Sequence, residues 1–280
     1  MPIIIASQDI EDRRLRSNIN VDKKRRSPRH LQSSPHIHNY YEVFHMQSGG
    51  CRFFLQDSIY ILEPGDFLVI HPGDYHLSKY DAGEQHNDRF IVYFDIKKID
   101  PRVLPYLETI FPAVMFTILP EKKEELYRRH DEMLQLFHKK DDFSDLCLDF
   151  VFQSYLLFLS RSCTVKNRAV TESESALEQA AQYMKAHYAE EIDLETISSI
   201  AGFSPSYFSR KFKELTGSGF RDYLNHIRLQ EASHMLRSSN KSILEISQEC
   251  GFTSSNYFGD LFHSVFGASP REYRKADLVT

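Results

Sequence analysis

The sequence predicts an α+β protein: a β-barrel or sandwich first, then an all-helical region. Three observations carry this. Short runs rich in Tyr, Phe, Ile and Val, cut by turn residues, fill residues 40–96. Beyond Pro120 the apolar spacing becomes helical. The C-terminal part holds an internal duplication in which glycine and aromatic positions recur.

The strands are predicted at residues 40–46, 51–55, 59–62, 67–70 and 90–96. Ser48-Gly49-Gly50, Pro64-Gly65-Asp66 and Pro72-Gly73-Asp74 punctuate them, the regular spacing of a barrel or sandwich. Residues 1–30 read as a polar, irregular arm with a basic run from Lys23 to Arg26, either solvated or an interaction tail.

After Pro120, Leu126, Met133, Leu134 and Phe137 share one helical stripe among Glu and Lys. Residues 143–159 are apolar on nearly every side and predict a buried helix. Such a pair suits a dimer seam or the flank of the barrel, and spacing does not choose between them. Residues 164–175 (TVKNRAVTESES) are polar and aperiodic and read as a linker. The expected domains are therefore 1–163, with 1–30 as its arm, and 176–280.

Composition bounds the function. Hydrophobic residues make up 41% and charged residues 26% of 280, as in soluble globular chains. No run approaches the about eighteen apolar residues of a membrane span. The opening Met-Pro-Ile-Ile-Ile-Ala is too short and lacks the basic lead of a secretory signal. The four cysteines are scattered without CxxC spacing, so a reduced cytoplasmic setting is expected. The net charge is −5, and from residue 175 onward 11 Lys and Arg face 13 Asp and Glu. Bulk attraction to phosphate is thus no argument for nucleic acid; the case rests on motifs.

The duplication supplies it. IAGFSPSYFSRKFKELTGSGFRDY begins at Ile200, and ECGFTSSNYFGDLFHSVFGASPREY begins at Glu249. Gly202-Phe203 aligns with Gly251-Phe252, Phe208 with Phe258, Phe212 with Phe262, Gly217 with Gly267 and Tyr223 with Tyr273. In the first copy Ile192, Leu194, Ile197, Ile200 and Ala201 give a short helix its inward face. Gly202 ends it, and Ser204 and Pro205 start another. Phe208, Phe212 and Leu215 then point inward, leaving Ser206, Ser209, Arg210 and Lys213 outside. In the second copy Ile243 and Ile246 line the first helix, and Phe258, Leu261, Phe262 and Val265 point in. Ser255, Asn256, Gly259 and Asp260 stay outside. Helix, tight glycine turn and second helix with a polar outer face is the helix-turn-helix arrangement for the DNA major groove. Two helical hairpins without that function are the alternative, and the duplication argues against it.

From about Leu177 to Lys275 the chain resembles the AraC/XylS family of bacterial transcription regulators. Arg228-Leu229, Ala232 and Leu236 of the connecting helix fit the family pattern, as does GASPREYR from Gly267 to Arg274. The resemblance implies two recognition helices on one linker helix, reading successive major-groove segments of double-stranded DNA about 34 Å apart. It also implies a cytoplasmic, nucleoid-associated homodimer with RNA polymerase as a further partner. Gly259-Asp260 departs from the family, which often places a polar and then a basic residue there. Asp260 cannot hold phosphate, so Arg210, Lys211 and Lys213 should supply more of the affinity.

In the β-rich half, His36-Ile-His38-Asn-Tyr-Tyr-Glu42 and Gly65-Asp66 through Pro72-Gly73-Asp74-Tyr75-His76 resemble the two cupin motifs, which come from facing strands of a small barrel. His71 stands where that pattern has proline, Tyr80 where it often has asparagine, and the glycine before the first histidine is missing. The fold expected is thus a cupin-like β-barrel with flanking helices. His36, His38, Glu42 and His76 admit three readings: effector-binding groups without metal, ligands of a divalent metal, or residual architecture. AraC-type regulators with such barrels bind a small-molecule effector, a sugar in some, and no cofactor is required. A DNA-binding regulator rather than an enzyme is expected. The rival is a metal-dependent cupin isomerase or dioxygenase, against which the duplication weighs. The residues name neither effector nor operator, and leave activation and repression open.

Overall fold

Alternation of inward and outward side chains builds two antiparallel sheets from the first half of the chain. The computed structural model describes residues 19–26, 35–38, 40–80, 86–107, 114–167 and 171–277. Six strands, β1 (Ile19–Arg26), β2 (Tyr41–Ser48), β5 (Asp66–Ile70), β7 (Asn87–Phe94), β8 (Met115–Ile118) and β9 (Cys163–Val165), form one sheet in the order β1-β7-β2-β5-β8-β9. The other sheet runs β4-β3-β6, from β3 (Cys51–Leu55), β4 (Ser58–Leu62) and β6 (His76–Tyr80). Phe44, Met46, Phe53, Leu68, Ile70 and Ile91 fill the interior between them. The cupin-like fold is therefore two facing sheets, not a closed barrel.

All five expected strands are present within three residues of their expected ends. Strand β1 corrects the reading of residues 1–30 as an arm. It pairs along its whole length with β7, from Ile19 opposite Phe94 to Arg26 opposite Asn87. Ile19 and Val21 are buried at 2% exposure each, while Lys23, Lys24 and Arg25 stay exposed on an edge strand. Charges of that kind discourage edge-to-edge pairing. Residues 1–18 and 27–30 of the expected arm lie outside the described residues.

Helices α1 (Lys123–Lys139) and α2 (Asp142–Ser162) cover the outer face of the larger sheet. Leu126, Met133, Leu148, Phe152, Tyr155 and Leu156 join Val43, Val69, Phe90 and Val92 in that core. Helix α2 is long and apolar enough by composition to cross a bilayer, yet one side of it belongs to this core. It is not buried all round, as its composition suggests: Phe143, Leu146 and Phe150 are 75%, 55% and 67% exposed. The expected linker also shortens. Cys163–Val165 adds to the sheet through β8, and the next helix begins at Glu172; residues 168–170 lie outside the described residues.

That helix, α3 (Glu172–Ala186), opens the helical domain with a capping box between Thr171 and Glu174. It is followed by α4 (Leu194–Ile200), α5 (Pro205–Thr216), α6 (Phe220–Ser238), α7 (Ile243–Glu249), α8 (Ser255–Phe266) and α9 (Pro270–Asp277). Asp193 caps α4 through Thr196 N, and Ser242 caps α7 through Glu245 N. Ser204 holds the extended N-cap conformation before α5 but makes no side-chain cap bond; Pro205 opens the helix as expected. The turn glycines take φ of 68° at Gly202 and 80° at Gly251. A Cβ on Gly251 would also meet Ala189 O at 2.7 Å, so close approach adds to the conformational demand there.

The two halves share a core. Phe54, Ile59 and Leu77 on the outer face of the smaller sheet, with Ile37 and Tyr75 beside it, pack in one cluster with Phe208, Phe212, Tyr223 and Ile227 of the helices. The order is thus helix pair, large sheet, interior, small sheet, helical domain.

Candidate functional site

The two cupin-like segments converge. His36 and His76 form an isolated antiparallel bridge, with His36 N and His76 N each donating to the other's carbonyl at 3.1 Å. Residues 35–38 are extended without joining either sheet, and both histidines of the pair still reach the interior. Ring centroids lie 4.1 Å apart for His36 and His76, and 4.9 Å for His38 and His76. One ligand atom from each of the three falls within 4.8 Å of the others. Glu42, on β2 and 3% exposed, sends Oε2 to 3.0 Å from His38 Nε2 and 3.8 Å from His76 Nε2.

Backbone carbonyls fix the proton positions on two of these rings. His38 Nδ1 lies 2.9 Å from the Tyr40 carbonyl and His76 Nδ1 2.9 Å from the Asp74 carbonyl. A carbonyl only accepts, so each Nδ1 carries a proton and each ring turns its Nε2 toward Glu42. His76 Nε2 has no hydrogen-bond partner among the described residues. Burial, then His36 and His38, hold the His76 imidazole well below the ordinary histidine range and hence neutral. Two imidazole nitrogens facing one carboxylate leave a place between them for a proton or a cation. Backbone carbonyls that fix the far nitrogens are also how metal-binding histidines are oriented.

Aromatic and charged neighbours absent from the motif reading complete the interior. The Tyr40 ring stacks on His38 at 4.2 Å, and Tyr93 meets His38 edge-on at 6.0 Å. Tyr80, where the cupin pattern often has asparagine, accepts a hydrogen bond from Arg89 Nη1 at 3.0 Å. Arg89 was not legible from either motif. Strand parity puts residues 89, 91 and 93 on one face only once the strand is known to start at Asn87, three residues ahead of its expected start.

The helical domain presents its outer faces as expected. Phe208 and Phe212 are fully buried beneath α5, and Ser206, Ser209, Arg210 and Lys213 are exposed. Phe258, Phe262 and Val265 anchor α8, leaving Asn256 and Asp260 exposed and Ser255 and Gly259 partly so. Sequence reasoning missed Tyr257, which is 51% exposed on the same face and whose hydroxyl accepts from Asn225 Nδ2 at 3.1 Å. Arg228 acts inside the domain: Nε donates to Tyr188 O at 2.7 Å and Nη2 to Glu190 O at 2.8 Å. Those bonds pin the connection between α3 and α4 to the linker helix α6.

The histidine cluster and the helical domain meet across one layer of chain. Ile37 lies between His36 and His38, and Tyr75 and Leu77 flank His76; all three apolar residues belong to the core shared with the helices. Tyr75 Oη donates to Thr216 O at 2.9 Å and is 2.8 Å from Ser218 Oγ. Gln230 Nε2 donates to Gly73 O at 2.5 Å, and Tyr223 Oη donates to Gln56 O at 2.5 Å. Glu178 of α3 accepts Ile59 N at 2.5 Å, and Arg52 pairs with Glu174 at 2.7 Å.

A ligand-binding β-domain seated on a pair of helix-turn-helix units defines a class: one-chain DNA-binding regulators with a built-in sensor. Residues 23–144 match the family described as AraC-like ligand binding domain, and residues 197–276 match a helix-turn-helix domain family. The chain belongs to the AraC family of transcription regulators, with an N-terminal ligand-binding domain, and is not an enzyme. It is similar to the HTH-type transcriptional activator RhaS of Enterobacter sp. (strain 638), 25% identical over 255 residues, covering 86% of this chain and 87% of the relative. RhaS of Salmonella arizonae is 26% identical with the same coverage. Among solved structures, the DNA-binding domain of AdpA in complex with a target DNA is 33% identical over 35% of this chain and 87% of that one, with a TM-score of 0.34.

Proposed function

We propose that a small molecule bound between the sheets at His36, His38, Glu42 and His76 controls how the two helix-turn-helix units engage DNA. One observation carries this reading: the segments holding the histidines are two-faced, with Ile37, Tyr75 and Leu77 packed into the DNA-binding domain from their other side. A ligand that reorders the histidines therefore has different affinity for different seatings of the helices, which is the requirement for control. Imidazoles and tyrosine hydroxyls suit a small polyhydroxylated molecule of the sugar kind. Ser206, Ser209, Arg210 and Lys213 face one major-groove segment and Ser255, Asn256, Gly259 and Asp260 the next. The exposed Phe143, Leu146 and Phe150 support a homodimer. Activation, the role in the name of the RhaS relatives, is read as acting through RNA polymerase, in the cytoplasm.

A second reading is favoured by the three ring nitrogens clustered within 4.8 Å of one another: a divalent cation held by His36, His38 and His76 with Glu42 as fourth ligand, where it would orient effector oxygens. Added Co²⁺ should then give visible absorbance bands that His76→Ala abolishes; a colourless wild-type protein rejects the cation.

The function is tested on a duplex selected from a randomised pool. Arg210→Ala should weaken specific binding by roughly tenfold or more, since a bidentate arginine–guanine pair discriminates by about 1–3 kcal/mol. His38→Ala should leave binding without effector in place and remove the effector-dependent change in a reporter. A collapsed melting transition for His38→Ala would instead assign these histidines to the fold alone.

A further inference from the structure

The interior between the sheets holds a charged group that the histidine cluster does not use. Arg89 on β7 is 8% exposed. The pleat puts it on one face with Ile91 and Tyr93, which line the interior together with Phe44, Phe53 and Tyr80. Its single hydrogen bond among the described residues runs from Nη1 to the neutral Tyr80 hydroxyl, and its Nε has no partner. Among the described residues no carboxylate lies within 4.0 Å of the guanidinium. Glu42, the acid of the same interior, is engaged with His38 and reaches Arg89 only through the field it shares with Tyr80 and Tyr93.

A guanidinium has five donors and keeps its charge at every physiological pH. Burying it against one neutral acceptor works against folding unless an anion arrives. Its planar fork matches the two oxygens of a carboxylate, and Tyr80 already orients that fork. We propose that Arg89 anchors a carboxylate of the effector, so that the molecule bound between the sheets is a small organic acid. This rests on the reading of the interior as the effector site and specifies its ligand. A sugar acid would satisfy both ends, with its carboxylate on Arg89 and its hydroxyls toward Tyr93 and the histidines.

The test is thermal unfolding of the full chain in sodium acetate, sodium chloride and sodium phosphate at equal ionic strength, with acetate as the minimal carboxylate. Acetate should raise the wild-type melting temperature by about 2–4 °C over chloride. Arg89→Met, unbranched and apolar, should melt no lower than wild type in chloride and show no acetate shift. Arg89→Lys keeps the charge and removes the fork; it guards against a packing defect in the Met variant and should lose most of the shift. A shift with phosphate but not acetate rejects the carboxylate. Equal anion shifts in all three proteins, or marked destabilisation of both variants, make Arg89 a structural group and overturn the proposal. The histidine site is judged separately by the His38→Ala reporter response, so the two readings fail by different measurements.

Discussion

Buried imidazoles set how this protein meets acid. His45 on β2 is fully buried, stacks on Phe67 at 4.2 Å, and has no hydrogen-bond partner on either ring nitrogen among the described residues. Burial, and then Lys123, hold its pKa down to about 3. The unfolded chain takes up this proton near pH 6.5 while the folded chain refuses it. Stability is therefore complete above about pH 6.5 and falls on acidification by up to about 1.4 kcal/mol per pH unit, ending near pH 3. Burial pushes His226, to about 4, and His130 in the same direction. His45→Phe should match or exceed wild-type stability at neutral pH and reduce the slope between pH 6 and 4 by about one proton. Urea titrations across that range check it, and an unchanged slope would show that His45 does not titrate as its burial demands. At this scale, side chains inside a fixed spacing were legible: His36, His38, Glu42 and His76 meet as the paired motifs imply. Arg89 and Tyr257 were not, because a lone arginine in a strand or a tyrosine in a helix has no spacing to mark it before the face is known.

Helix α2 shows where periodicity stops being informative. A segment apolar on every side cannot reveal which side the sheet takes, and the structure buries Leu148, Phe152, Tyr155, Leu156 and Leu159 while exposing Phe143, Leu146 and Phe150. The exposed three recur at helical spacing, i, i+3 and i+7, as one stripe. A contiguous apolar stripe of this kind marks an association face. For the homodimer proposed above, Phe143→Glu with Phe150→Glu should give a monomer in sedimentation without lowering the melting temperature of the sheet core. A variant that stays dimeric moves the seam elsewhere. The same limit explains the strands that sequence reasoning missed. β1 hides in a basic run because only Ile19 and Val21 need burial, β6 mixes polar and apolar residues on the face it turns inward, and β8 and β9 are too short for alternation to register. The helix-turn-helix elements were legible almost to the residue, since caps, turn glycines and buried phenylalanines repeat.

At the scale of the molecule, a composition-based boundary at residues 164–175 suggested two separate cores, whereas the structure joins the small sheet to the helices. Surfaces that pair only after both domains exist leave no local pattern, so this seam could not be read from either half. Two hydroxyls span it: Tyr75 to Thr216 and Ser218, and Tyr223 to Gln56. The double variant Tyr75→Phe, Tyr223→Phe removes these bonds while keeping both rings, so no cavity opens. Each lost buried bond should cost about 1–3 kcal/mol through the acceptor left behind. The loss should be local. Hydrogen exchange should quicken in the first half of α6 and around Thr216, with protection in the β1-β7-β2 ladder unchanged. If the seam transmits the ligand signal, the variant should still bind DNA, because the proposed contacts Arg210 and Lys213 are untouched, but its DNA affinity should respond less to the effector. Full retention of that response alongside faster exchange would show that the seam is structural and that the signal takes another route, through the helix pair on the opposite sheet.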